Sequence, residues 1–184
     1  MRSIILIQHC QSEYHVNRKA SLWPDKDNGL TALGCRQADC LASRLQREIG
    51  GAPCQIYASP MRRAFQTAEI IGKALGVTPE PVFELREHNG HFAMERTTEG
   101  EPWNIDEQRG FFLDYRPFPG AETWREFHAR VSMCMDNIGK THDRRHLPIL
   151  VVHGSTLNSI VTWWLELNLD ALPEGPPFTA LPAS

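Results

Sequence analysis

The segment IILIQHC, residues 4–10, is matched near the other end of the chain by the segment ILVVHGS, residues 149–155. Each contains four consecutive apolar residues, three of them β-branched, as is typical of a strand buried on both faces of a parallel sheet. If the two strands lie parallel and adjacent, His9 and His153 emerge at the same carboxyl edge. Open α/β sheets place their active sites at that edge. The two segments therefore predict both the fold class and the position of a site.

Strand and helix patterns alternate along the rest of the chain. Strands are expected at residues 3–7, 55–58, 82–83 and 149–152. Helices are expected at residues 31–50, 59–75, 122–138 and 156–167. Thr31 and Ser59 are expected as N-caps, since a hydroxyl can accept a hydrogen bond from a free backbone N–H of the first turn. This alternation predicts a three-layer α/β/α fold with a mostly parallel central sheet.

Length and composition narrow the class of protein. The 184 residues are expected to form a single domain, and 41% hydrophobic and 22% charged residues are ordinary for a globular protein. A formal net charge of −3 gives no global basic field to attract nucleic acid or a membrane. No apolar run is long enough to span a bilayer, and no secretory signal is recognisable. Five irregularly spaced cysteines indicate reduced thiols, so we expect a cytoplasmic protein.

Two further segments carry candidate functional residues. Arg62 and Arg63 lie in the first turn of the helix that follows the second strand, where free N–H groups already favour an anion. Guanidinium groups there favour a bound phosphate or carboxylate, although either arginine could also be a solvated surface charge. Glu87 follows a short extended piece and could serve as a general acid–base, although an isolated glutamate is often a surface residue. From Asn89 to Gly120 the periodicity is lost, which predicts a cap-like excursion over the site.

Six short motifs occur in an order that is informative as a set. They are Gln8-His9-Cys10-Gln11-Ser12, Leu30 to Gly34 with Gln37-Ala38, Ser59 to Ala68, Leu85-Arg86-Glu87, Pro119-Gly120-Ala121-Glu122 and Val151 to Gly154. Together they resemble the motifs of the histidine phosphatase superfamily, also called the phosphoglycerate mutase-like family. The resemblance covers nearly the whole chain and implies a phosphoglycerate mutase-like fold.

The resemblance also implies a mechanism and a set of site residues. His9 would attack the phosphorus of a small phosphomonoester and form a phosphohistidine. Arg63 and His153 would hold the phosphoryl oxygens, and Glu87 would protonate the leaving alcohol and then activate water. The remaining substrate-binding positions of the family correspond to Gln8, Ser12, His15 and Gly154. Cationic side chains would replace a metal ion, so neither a metal nor another cofactor is expected.

The segment around His9 departs from the family pattern. Gln8 stands where the family has arginine, Cys10 where it has glycine, Gln11 where it has glutamate and His15 where it has asparagine. Two interpretations fit these changes. In one, the pocket is retuned and His15, Arg62 or Arg86 supplies the missing charge. In the other, the protein binds a phosphate ester without turning it over.

Two smaller hypotheses follow from the same comparison. Cys10 beside a cationic pocket would have a lowered pKa and make the protein sensitive to oxidation. The family has one more strand after a segment like residues 181–184, where this sequence ends. An exposed sheet edge would favour pairing with a second copy as a homodimer.

Other functions are less consistent with the sequence. A metal hydrolase would use His88 and His91 with His9, His153 and Glu87, but Asn89-Gly90 interrupts a helical spacing. A serine hydrolase lacks the Gly-x-Ser-x-Gly turn, and a Rossmann enzyme lacks Gly-x-Gly-x-x-Gly. Phosphoglycerate mutases of this family have longer chains with additional basic residues, so hydrolysis fits this chain better than mutase activity.

Overall fold

The computed structural model describes residues 3–16, 28–89, 113–116 and 120–172. Within these ranges four strands form one sheet in the order β1-β4-β2-β3. The strands are β1 (Ile5–Gln8), β2 (Cys54–Ala58), β3 (Glu80–Pro81) and β4 (Leu147–Val152). All three pairings are parallel, and β1 lies directly beside β4, with Ile5 opposite Ile149 and Gln8 opposite Val152. The parallel, adjacent arrangement predicted from the two apolar runs is therefore confirmed.

Five α-helices lie in the described residues. They are α1 (Glu13–Val16), α2 (Ala32–Ile49), α3 (Arg62–Leu75), α4 (Trp124–Thr141) and α5 (Gly154–Trp164). Short 3₁₀ turns occupy Phe83–Leu85 and Leu169–Ala171. None of these helices is long and apolar enough to cross a membrane.

The side chains of β4 divide the core into two layers. Ile149 and Val151 belong to a cluster with residues of α2 and α3, whereas Leu150 and Val152 belong to a cluster with residues of α4 and α5. Because successive strand residues point to opposite faces, helices cover both faces of the sheet. The predicted three-layer α/β/α fold is confirmed, and all four residues are fully buried, as the apolar run predicted.

Helix α2 begins and ends as predicted. The Thr31 hydroxyl accepts a hydrogen bond from the Gly34 N–H at 2.9 Å, and Gly50 ends the helix in the left-handed region with φ of 60°. A Cβ at Gly34 would lie 1.9 Å from the Gln11 carbonyl oxygen. Glycine at this position therefore allows α2 to contact the loop after β1 directly.

Several predicted boundaries were wrong, among them those of α4, which spans Trp124–Thr141 rather than residues 122–138. Helix α3 is capped by Met61 and begins at Arg62, two residues later than the Ser59-Pro60 pattern predicted. Ser59 is therefore not the N-cap, and its hydroxyl is hydrogen-bonded to His153. The third strand lies at residues 80–81 rather than 82–83, and a 3₁₀ turn begins at Phe83. Helix α5 spans Gly154–Trp164 rather than residues 156–167, so it starts directly after His153.

Helix α4 follows the segment for which the sequence predicts an irregular excursion. It begins after Thr123, which forms a reciprocal capping box with Glu126. Its apolar stripe is buried as predicted and consists of Trp124, Phe127, Val131 and Ile138. Residues 90–112 and 117–119 lie outside the described residues, so the cap-like excursion stays a prediction. Residues 173–184 also lie outside the described residues. The expected exposed sheet edge, and the homodimer that it would favour, therefore stay predictions.

Candidate active site

His9 stands at the carboxyl end of β1, with its two ring nitrogens in different environments. Nδ1 lies 2.8 Å from the carbonyl oxygen of Cys10, to which it can only donate. The lone pair is therefore on Nε2, where the buried Arg63 guanidinium donates a hydrogen bond through Nε at 3.1 Å. This arrangement presents Nε2 as a nucleophile beside a fixed positive charge.

Burial and charge keep the His9 ring neutral. Burial, followed by the positive charge of Arg63 and a smaller effect of His15, lowers the pKa of His9 from 6.5 to about 3. The hydrogen bond to Cys10 acts in the opposite direction but is outweighed. A neutral imidazole at physiological pH is the state that attack on phosphorus requires.

The loop after His9 is held by side chains from two helices. Thr67 of α3 accepts a hydrogen bond from the Cys10 N–H at 3.2 Å and donates to the Arg63 carbonyl at 2.8 Å. Gln37 of α2 accepts from the Gln11 N–H at 3.0 Å. Cys10 is not among the described residues with positive φ, so the loop conformation tolerates a side chain where the family has glycine.

The environment of Cys10 contradicts the oxidation hypothesis. The thiol is buried, with 1% of the residue exposed, and burial raises its pKa. Burial outweighs the hydrogen bond with Thr67, which acts in the opposite direction. A buried thiol that stays protonated reacts slowly with oxidants, so the predicted activated cysteine was wrong.

His153 stands at the end of β4, and it is Nε2 of this ring, rather than Nδ1 as in His9, that is held by a neighbouring oxygen atom. Its Nε2 lies 2.8 Å from the Ser59 hydroxyl, which already accepts from the Met61 N–H at 3.3 Å. We assign the hydroxyl proton to the bond with Nε2, which places the ring proton of His153 on Nδ1. Nδ1 is buried and has no hydrogen-bond partner among the described residues. Burial, with the charge of Arg63 and the neighbouring histidines, holds the pKa of His153 well below its usual value.

His15 completes a group of three histidine rings. Its ring stacks on that of His9 with centroids 5.2 Å apart, and His153 meets His9 edge-on at 5.0 Å. The Ser12 N–H donates to Nδ1 of His15 at 3.2 Å, so the proton of the neutral ring is on Nε2. Helix α1, which the sequence did not predict, brings His15 to this position.

Glu87 is placed by two backbone N–H groups, one of them in the helix that begins directly after His153. Its Oε2 accepts a hydrogen bond from the Ser155 N–H at 3.3 Å, and its Oε1 accepts from the His88 N–H at 2.8 Å. The carboxylate therefore contacts the first turn of α5, at the second residue after His153.

The candidate residues for the charge missing at position 8 are placed differently. His15 is in the site, whereas Arg86 stacks on the Phe83 ring at 4.2 Å and donates to the Phe83 carbonyl. Arg62 is exposed, with its Nε beside Gly29. The Oε1 atom of Gln8 is buried without a hydrogen-bond partner among the described residues.

Two contributions to the site were missed by sequence reasoning. Ser59 was interpreted as a helix cap, and Thr67 was quoted only as part of a motif. Both have short polar side chains whose partners depend on the packing of α3 against the sheet, so only their motif positions could have drawn attention to them. In the described residues no group of three or more His, Cys, Asp and Glu side chains is placed to hold a metal ion. His91, one of the proposed ligands, lies outside those residues.

Comparisons with known proteins agree with this geometry. A family model of the histidine phosphatase superfamily (branch 1) matches residues 4–180. A protein of Hydrogenobacter thermophilus, provisionally named phosphoserine phosphatase 2, is 32% identical over 186 residues, covering 94% of this chain and 83% of that protein. A Yersinia pestis protein, provisionally named phosphoglycerate mutase GpmB, is 27% identical over 93% of this chain and 78% of its own. The solved structure of a mycobacterial glucosyl-3-phosphoglycerate phosphatase superposes with a TM-score of 0.71 at 21% identity, covering 93% of this chain and 85% of that one.

Proposed function

The chain belongs to the histidine phosphatase superfamily (branch 1), and we propose that it hydrolyses small organic phosphomonoesters through a phosphohistidine on His9. The observation that carries the proposal is the pairing of the His9 Nε2 lone pair with the buried Arg63 guanidinium at 3.1 Å. A neutral nucleophile and a fixed cation at one point suit attack on an anionic phosphoryl group. The names of two relatives, both phosphatases of small organic phosphates, support the same reaction class.

In the first step, Nε2 of His9 attacks phosphorus while the ester P–O bond breaks. Arg63 exchanges its hydrogen bond to Nε2 for one to a phosphoryl oxygen, and the Nδ1–H of His153 donates to another. Glu87 in its protonated form gives its proton to the departing alkoxide. The Nδ1–H bond to the Cys10 carbonyl stabilises the positive charge that develops on the ring of His9.

In the second step, water attacks the phosphohistidine. Glu87, now ionised, takes a proton from the water as the N–P bond breaks, which regenerates His9 and releases phosphate. Arg63 and the histidines supply the positive charge and hydrogen-bond donors for both steps, so the reaction needs neither a metal ion nor another cofactor.

We propose that His15 contributes to the charge that Gln8 lacks. Its ring is stacked on His9, and its charge acts on the pKa values of both His9 and His153. Gln8 and Ser12 add hydrogen-bonding groups at the same strand end. The unpartnered Oε1 of Gln8 would accept a hydrogen bond from the substrate, whereas an arginine would donate one.

The test is hydrolysis of p-nitrophenyl phosphate with EDTA present, comparing wild type with His9→Ala and Gln8→Arg. We expect turnover in wild type, loss of at least about 10⁴-fold in His9→Ala and a gain in Gln8→Arg. Activity only in Gln8→Arg would instead identify a phosphate-ester-binding protein, the rival that the uncharged Gln8 favours. Loss of activity with EDTA would identify a metal hydrolase.

A further inference from the structure

The segment that carries Glu87 is anchored to helix α4 by one arginine. Arg130 donates through Nη1 to the backbone carbonyls of Glu84 and Arg86, the latter at 3.3 Å. Its Nε and Nη2 donate to the two carboxylate oxygens of Glu122 at 2.6 and 2.7 Å. One planar guanidinium therefore joins α4, the segment before Glu87 and the segment before α4.

The hydrogen bonds between Arg130 and Glu122 are largely shielded from water. The side chains of Arg130 and Glu122 are 13% and 16% exposed, and the guanidinium lies 5.0 Å from the centre of the Phe127 ring. Burial opposes ionisation of Glu122, yet the hydrogen bonds and charge of Arg130, with smaller effects of Arg86 and His88, outweigh it and lower the pKa of Glu122. A two-pronged Arg–carboxylate pair fixes orientation as well as distance.

The residues that follow Glu87 are tied to the same point. The His88 ring nitrogen Nε2 donates to the Glu122 carbonyl at 3.0 Å, and the Asn89 side chain accepts from the Glu122 N–H at 2.6 Å. On the other side, the Thr156 hydroxyl of α5 donates to the Arg86 carbonyl at 3.2 Å. The backbone on both sides of Glu87 is thus held relative to α4 and α5.

We propose that Arg130 is a positioning residue for Glu87, and that it places the carboxylate where the leaving oxygen and the attacking water pass. This inference rests on the proposed function, in which Glu87 transfers the proton. Arg130 acts through the carbonyl of Arg86, the residue directly before Glu87. A displacement of about 1 Å in a proton-transferring group is enough to lower a rate about 10²-fold.

The first test is a double-mutant cycle with Arg130→Met and Glu87→Gln. With an alkyl phosphate such as phosphoserine, for which both steps need the proton transfer, we expect Arg130→Met alone to lower kcat about 10- to 100-fold while changing KM much less. In the Glu87→Gln background the same substitution is expected to have almost no further effect, because there is no acid–base left to misplace. Equal losses in the two backgrounds would show a general structural role and overturn the proposal.

The second test uses leaving groups that differ in their need for a proton. p-Nitrophenolate leaves readily, so phosphorylation of His9 is expected to survive in Arg130→Met while water attack slows. The result would be a burst of about one p-nitrophenolate per protein, whereas an alkyl phosphate such as phosphoserine gives none. A burst that shrinks in proportion to steady-state turnover would mean lost active protein and would contradict the inference.

Two variants guard against a folding defect. Arg130→Lys keeps the charge but lacks the planar fork, so we expect an intermediate loss and the same burst. Arg125→Met removes an arginine of the same helix, exposed and paired with Asp114 and Asp170, and is expected to leave both measurements unchanged. The proposed function is judged separately by His9→Ala, which abolishes turnover whether or not Arg130 positions Glu87.

Discussion

The ends of β1 and β4 each present a buried histidine to one site, but they present it in opposite ways. His9 donates from Nδ1 to its own neighbour, the Cys10 carbonyl, and its Nε2 lone pair faces Arg63. His153 receives the Ser59 hydroxyl at Nε2 and keeps a buried Nδ1–H without a partner among the described residues. Two identical side chains on adjacent parallel strands thus become an acceptor and a donor.

The difference lies in which nitrogen is tied down, since burial lowers the pKa of both rings. A backbone carbonyl can only accept, so it forces the proton of His9 onto Nδ1. A hydroxyl can donate or accept, and with the Ser59 proton assigned to Nε2 the ring proton of His153 lies on Nδ1. In the proposed function, the nucleophile His9 and the hydrogen-bond donor His153 are therefore distinguished by their neighbours.

Replacing each histidine by asparagine is expected to give the largest difference in kcat between the two positions. An asparagine Nδ2–H can take the place of the Nδ1–H of His153, so His153→Asn is expected to retain much more activity than His153→Ala. The latter should lose about 10²–10³-fold in kcat, the effect of removing one preorganised donor. His9→Asn should be as inactive as His9→Ala, since an amide is no nucleophile.

The measurement is kcat for p-nitrophenyl phosphate in the four variants, with circular dichroism as the check on folding. Equal losses in His153→Asn and His153→Ala would contradict the donor role. Turnover at close to the wild-type rate in either His9 variant would contradict the nucleophile role.

The parts of the site that the sequence predicted are those carried by strand ends. His9 and His153 follow apolar runs whose period and length define parallel strands, and Arg63 follows β2 at a helix start, so topology alone brings them together. Ser59 could not be assigned from sequence because the same Ser-Pro pattern serves as a helix cap. The Cys10 thiol was misjudged because burial is a property of packing, not of neighbours along the chain.

The environment of His9 also predicts a loss of stability in acid. The folded protein keeps this ring neutral down to about pH 3, whereas in the unfolded chain it takes a proton below about pH 6.5. The unfolded state therefore binds more protons between these values, and stability falls as the pH falls from 6.5 towards 3.

His9→Asn removes this titration, so the variant shows how much of the pH dependence of the unfolding free energy comes from His9. Relative to the variant, the wild type should lose about 3 kcal/mol more unfolding free energy between about pH 7 and pH 4. Urea denaturation at both pH values gives the two differences. A difference between the proteins that does not change with pH would mean that His9 is not held neutral by the fold.

The smallest expected effect concerns Ser59, whose hydroxyl sets the proton of His153. In Ser59→Ala the buried Nε2 loses its donor, so the ring proton can occupy either nitrogen and the fraction with Nδ1–H falls. We expect kcat to drop about tenfold, the value of one lost hydrogen bond of about 1.4 kcal/mol. Ser59→Thr keeps the hydroxyl and should retain most of the activity.

The ¹⁵N chemical shifts of the His153 ring report the tautomer directly. In wild type Nδ1 should be protonated and Nε2 should not, and in Ser59→Ala the two shifts should approach each other. Shifts that stay at their wild-type values while kcat falls would assign the loss to packing around Ser59. The Ser59 hydroxyl would then not be what determines the tautomer of His153.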